Sequence, residues 1–342
     1  MYKPRSLWES GFLGIVAAQA AVITILEVFM LIHYQRWVNP GAYEMVRSYT
    51  IPLNVGLFVF GCWWQLLLTT DALRLRNNIQ LFALCVANGC LFGVNIMRYW
   101  QTKETNEELL IATIDDGSNP LVKTDVSYWP VVKPALITST AWVGISTLGM
   151  SGLAYKLHND FAWEIYKHVS ADVALRKRYL AYQVFLVLMK LGVYFFIAFL
   201  VLYGVINVHY EMPEFAIVMT LIPAALLQIS LAVWCTRSEL KVGMAVVILL
   251  FCAAAGYIMS RIAAMGGEGP RAKTLLKDEM LLFASVAWLF VVATLVTAIQ
   301  CMINFNHGLK PIFKRQEGAQ KLADEDDTFH LDDLKARRFT LD

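Results

Sequence analysis

Residues 11–33 read GFLGIVAAQAAVITILEVFMLIH, an unbroken apolar run in which Glu27 is the one acidic side chain and no Lys or Arg occurs. A helix of about 20 apolar residues crosses the roughly 30 Å hydrocarbon core of a bilayer, so this stretch is long enough to span one. It follows Lys3 and Arg5 as the core of a signal peptide would, but it is too long and lacks a clear cleavage site, so it reads as a retained first span. The same signal recurs at 51–71, 78–99, 133–155, 180–207, 214–235, 241–261 and 280–303. The expected fold is all-α: a polytopic integral membrane protein built as a bundle of about eight transmembrane helices. Residues 1–303 form the transmembrane domain and 304–342 a tail.

Composition agrees with that class. Of the 342 residues 58 % are apolar, mean hydropathy is +0.52, and a formal net charge of +2 gives no basis for nucleic-acid binding. The six cysteines (Cys62, Cys85, Cys90, Cys235, Cys252, Cys301) lie in or at the edges of apolar runs, so no structural disulfide is expected. The histidines are scattered and no thiol or carboxylate cluster has ligand spacing, so neither a metal nor another cofactor is expected. Gly149-Met150-Ser151-Gly152 matches the G-x-S-G pattern of rhomboid-type proteases, yet no histidine lies in the interior of a span to act as its base. With no phosphate loop or paired catalytic carboxylates, the chain is not expected to be an enzyme.

An even number of spans places both termini on one side. With those termini in the cytosol, 18 of the 29 Lys and Arg residues face the cytosol and nine the opposite side, as the positive-inside rule requires. The acidic loop 101–130 then faces the lumen. Its turn-forming residues Asp115 to Pro120 separate Leu109–Ile114 from Leu121–Trp129, which predicts a short lumenal hairpin. Small residues in the fourth span (Ser139, Ala141, Gly144, Ser146, Gly149, Ser151, Gly152) predict close packing and a central position. No internal repeat links the first four spans to the last four.

Two sets of residues are functional candidates. The first is an intramembrane polar site. Glu27 and Lys190 are costly ionisable groups at membrane depth and candidate partners, although helix rise puts them about 9 Å apart in depth. Gln19 and Asn88 are buried amides of the same site, with interhelical hydrogen bonding as their simpler role. The second set is Lys167, Arg176, Lys177 and Arg178, in a segment (156–183) whose apolar residues recur at helical spacing. That pattern predicts a cytosolic interfacial helix touching the bilayer and anionic lipid headgroups. Thr328 and Thr340 in the acidic tail are candidate phosphosites.

Several stretches taken together resemble an uncharacterised fungal family of polytopic Golgi apparatus membrane proteins. They are Gln19 with Leu26-Glu27; Asp71-Ala72-Leu73 with Asn78-Ile79-Gln80; Trp163 to Lys167 followed by Ala171-Asp172, Arg178-Tyr179, Tyr182 to Phe185 and Lys190; and Asn304 to Asn306 with Gly308 to Pro311. Family members place an acidic residue soon after the lysine of the fifth span, where this chain has Leu191-Gly192-Val193. The resemblance implies fungal origin and residence in the Golgi membrane, and it implies no activity. From the residues themselves the leading expectation is transport of a small solute or ion through the bundle. The alternative is a non-catalytic scaffold or a trafficking or sorting factor acting through 156–183 and the tail. A polar cavity reaching Glu27 or Lys190 favours the first; a dry bundle with both charges sealed or snorkelled favours the second.

Overall fold

The computed structural model describes residues 6–39, 46–115, 120–123, 125–168, 173–207, 212–267 and 277–305. Within them are eight long helices: α1 Leu7–Trp37, α2 Thr50–Arg74, α3 Asn78–Asp115, α4 Trp129–His168, α5 Val173–Asn207, α6 Met212–Ser238, α7 Lys241–Gly266 and α8 Lys277–Ile303. Each contains a stretch long and apolar enough to cross a membrane. The chain is an all-α polytopic membrane bundle. Local chemistry sets several helix ends: Ser6 caps α1 by accepting the Glu9 amide at 3.1 Å, and Asn77 caps α3 by accepting the amides of Ile79 and Gln80.

The eight helices form two four-helix units with the same neighbour order. In the first, α1 packs on α2 and α4, and α3 packs on α2 and α4; in the second, α5 packs on α6 and α8, and α7 packs on α6 and α8. The second and third helices of each unit are joined by the same tight turn. Arg76 (φ 47°) and Glu239 (φ 52°) take the left-handed conformation. The next amide then reaches back to a carbonyl five residues earlier, Asn77 to Ala72 and Leu240 to Cys235. This likeness between halves is structural; side chains that satisfy the same packing differ too much for a sequence repeat to be visible.

α5 carries the packing between units, against α2 and α3, and is the central helix. Its most apolar stretch is 72 % buried, against 33 % for α4, which corrects the expectation that the fourth span is central. Small residues on α4 act only locally: Gly144 seats Phe92 and Gly149 seats Ile15, while Ser151 and Gly152 face outward. The large buried side chains of α5, among them Phe185, Phe199 and Tyr203, are what fill the centre.

Two other expectations change. The lumenal hairpin does not form, because Leu109 and Thr113, one turn apart, stay on the buried face of α3 and carry the helix to Asp115. Its expected second leg pairs with the end of α1 instead: Val38 and Val122 form an antiparallel bridge, with the Asn39 amide on the Leu121 carbonyl and the Lys123 amide on that of Trp37, both 2.9 Å. The 156–183 segment is not a separate interfacial helix. Up to His168 it continues α4, from Val173 it begins α5, and Phe161 packs into the core of the first unit. Residues 169–172 and 306–342, with Thr328 and Thr340, lie outside the described residues.

Candidate functional site

Asn88, Asn95 and Arg98 recur at helical spacing on one face of α3 and carry a buried polar seam through the first unit. At Asn88 two amides close on each other. Gln19 Nε2 donates to Asn88 Oδ1 at 2.8 Å, and Asn88 Nδ2 donates to Gln19 Oε1 at 3.1 Å and to Thr147 Oγ1 at 2.9 Å. The knot ties α1, α3 and α4 together. One level on, Asn95 Nδ2 donates to Ser139 Oγ at 3.0 Å and Thr140 Oγ1 at 3.1 Å on α4.

At the next turn of α3, Arg98 forks onto Glu27 of α1. Nη1 donates to Oε1 at 2.7 Å and Nη2 to Oε2 at 2.8 Å, and Nη1 also reaches Asn95 Oδ1 at 3.3 Å. The guanidinium carbon lies 4.6 Å from the centre of the Phe58 ring. Both charges are sealed from solvent, at 3 % and 0 % exposure. A bidentate pair satisfies most of the lone pairs and protons of both ions, which is what makes a buried pair tolerable at membrane depth. Aromatic side chains close this end: Trp37 stacks on Tyr128 at 4.9 Å, with Tyr34 edge-on to the same ring. Burial pushes the Tyr128 phenol above its ordinary range, so its hydroxyl keeps its proton.

Lys190 has a different partner. Its Nζ meets Asp71 Oδ2 near the end of α2, where Gln80 Nε2 also donates at 3.0 Å, and both side chains remain partly exposed. Glu27 and Lys190, candidate partners from the sequence, do not pair: Arg98 holds one and Asp71 the other. Each charge has a carboxylate or guanidinium from a neighbouring helix, and the two pairs sit toward opposite ends of the bundle. The depth mismatch read from the sequence was the sign of this. Glu27 and Arg98 lie near the same end of their spans, within an arginine's reach, and Asp71 closes α2 at the other end. The missing acid after Lys190 is supplied from α2.

Of the expected polar site, the structure therefore brings Gln19 and Asn88 together and separates Glu27 from Lys190. Arg98 and Asp71 are the partners of these charges that the sequence reading did not assign. Of the basic cluster, Lys177 is exposed and Arg178 half-buried; the side chains of Lys167 and Arg176 lie outside the described residues. The second unit holds its own polar contact, with Arg261 Nη1 donating to the Tyr203 hydroxyl at 3.0 Å and standing 3.8 Å from Glu214.

Two small cavities stand out among the described residues. One of about 40 Å³ lies within the second unit, lined by Gly192, Phe196, Gln228, Phe251, Phe290 and Thr294 among others. One of about 20 Å³ lies at the junction of units, near Gly61, Gln65 and Tyr194. Each has room for little more than water, and neither is lined by Glu27, Arg98 or Lys190. Among the described residues no three His, Cys, Asp or Glu side chains gather as metal ligands.

Comparison with known proteins finds one informative relative. Over 275 residues, 76 % of this chain and 78 % of the relative, the sequence is 24 % identical to a protein of Schizosaccharomyces pombe described as a UPF0658 Golgi apparatus membrane protein. The resemblance carried by the short motifs is to that same uncharacterised fungal family. No family profile matches the chain, and no solved structure matches it.

Proposed function

We propose that this chain is a multi-pass resident of the Golgi membrane, with its termini in the cytosol, and that it acts as a non-catalytic membrane scaffold or sorting factor. The observation that supports this reading is that the two charges the sequence singled out are tied up, Glu27 by Arg98 and Lys190 by Asp71, and that neither lines either of the two cavities described above. A pathway for a solute needs polar groups facing a space the solute can occupy; here they face each other. The largely exposed apolar surfaces of α6 and α7 suit contact with lipid, and exposed Lys177 near the start of α5, with the basic and acidic residues of the 304–342 sequence, suits contact with partners.

Two measurements test it. In sealed Golgi vesicles a C-terminal tag is removed by added protease, and a protected tag overturns the orientation. In proteoliposomes with an imposed pH gradient and a trapped pH dye, the purified chain dissipates the gradient no faster than empty liposomes. A protein-dependent flux abolished by Glu27→Gln overturns the scaffold reading in favour of ion coupling.

A further inference from the structure

Glu279 lies in the first turn of α8, only 3 % exposed, on the seam between the two four-helix units. Its neighbours come from several helices. Asn54 Nδ2 on α2 approaches Oε1 at 3.5 Å, a long contact, and Oε2 has no hydrogen-bond partner. α3 brings the Gln101 amide and the Arg98 guanidinium to its surroundings, and α5 brings Tyr194. α1 contributes Glu27, through Arg98. On α7, Arg261 is engaged with Tyr203, Tyr257 and Glu214, and on α8 itself Asp278 is exposed and Lys277 half-buried.

The charge count at this end does not close. Arg98 has given both terminal nitrogens to Glu27, so an ionised Glu279 leaves the buried group with one negative charge in excess. Such a carboxylate has the long Asn54 contact, the Gln101 amide and the already engaged Arg98 to replace its water, and burial outweighs them. Meanwhile Gln101 Oε1 is a buried acceptor with no donor. A carboxylic acid in place of the carboxylate corrects both faults: the charge is gone, and an O–H donor stands beside an amide that lacks one. Glu279 lines neither of the two cavities described above, and a proton needs no cavity.

We propose that Glu279 is a proton-binding site set across the seam of the two units, and that its neutral form ties α8 to Asn54 of α2 and Gln101 of α3. Under the orientation proposed above the proton comes from the lumen; the site itself does not depend on that orientation. Binding is a simple addition, with a proton from solvent joining one carboxylate oxygen and the local charge falling from minus one to zero. The seam is then firmest when the surrounding solution is acidic and loosens as Glu279 gives up its proton.

The test uses the full chain in nanodiscs, where both faces meet the buffer. Infrared spectra recorded from acid to alkaline pH show a protonated-carboxyl carbonyl band that outlasts those of the exposed acids and is missing in Glu279→Gln. Thermal unfolding of the wild type shows a midpoint that falls as pH rises, whereas Glu279→Gln, an isostere of the neutral acid, loses that component of the pH dependence. If that variant does not fold, Asn54→Leu serves instead: removing one of the amide contacts that favour the carboxylate extends the band to higher pH. Identical spectra for wild type and Glu279→Gln, or an Asn54→Leu band that bleaches no later than wild type, overturns the proposal. Neither result bears on scaffolding or on topology.

Discussion

Arg98→Met costs about 3–5 kcal/mol of stability, the loss typical of breaking a buried ion pair from one side. The substitution removes the guanidinium and leaves Glu27, 0 % exposed, without the two N–H donors that hold its oxygens at 2.7 and 2.8 Å. Glu27→Gln does comparable harm from the other side, because the cation then has only neutral groups in direct contact: the introduced amide, Asn95 Oδ1 and the Phe58 ring. Combining Glu27→Met with Arg98→Met recovers most of the loss, since two apolar side chains of similar length leave no uncompensated charge. Chemical unfolding of the chain in mixed micelles measures all three. Losses that simply add would show that the pair is not a unit. The same cycle applied to Glu27 and Lys190 gives additive losses, because they share no partner. The Asp71–Lys190 pair, partly exposed, couples by no more than about 1 kcal/mol.

That contrast shows what the sequence could and could not carry. Spans were legible because crossing a bilayer demands a length of apolar helix, a one-dimensional property. Helix ends beyond the membrane were not. Residues 101–115 and 156–168 lose hydropathy, so they read as loop or as a separate element, while their backbone simply continues α3 and α4. Gln19 and Asn88 were recognisable as packing amides from their type and depth. Their mutual bond, and the partners of Glu27 and Lys190, depend on which helices are neighbours, and that is fixed by the closing of each four-helix ring. Depth counting does narrow the choice: Arg98 and Glu27 lie near the same membrane face, and Lys190 does not. Glu279 gave no signal, because an acid beside Asp278 at the start of a span looks like an ordinary exposed helix-start residue. Only the fold shows that one of the two is exposed and the other buried on the seam.

Gly61→Ala is expected to weaken the joint between the two units, by about 1–3 kcal/mol, as overpacking does in a filled core. A Cβ placed on Gly61 would stand 2.7 Å from the Tyr194 hydroxyl oxygen and 2.9 Å from the ring carbon that bears it. Phe195, Phe60 and Phe283 flank the ring at centroid distances of 5.1, 5.8 and 6.4 Å, and the cavity of about 20 Å³ beside it is far smaller than the ring itself. Something larger must therefore give, and what lies behind the ring is α5, the helix that docks the second unit onto α2 and α3. Gly56 offers a control on the same helix, since a Cβ there meets nothing within 4 Å. Gly56→Ala should be neutral or stabilising by up to about 1 kcal/mol through helix propensity. Thermal unfolding of the two variants side by side separates packing from propensity. Removing the hydroxyl with Tyr194→Phe relieves only part of the Gly61→Ala defect, because the ring carbon remains too close. Equal stability of Gly61→Ala and Gly56→Ala would mean that the seam repacks freely, and that the fixed arrangement of the two units on which the Glu279 contact depends is not set by this approach of α2 to α5.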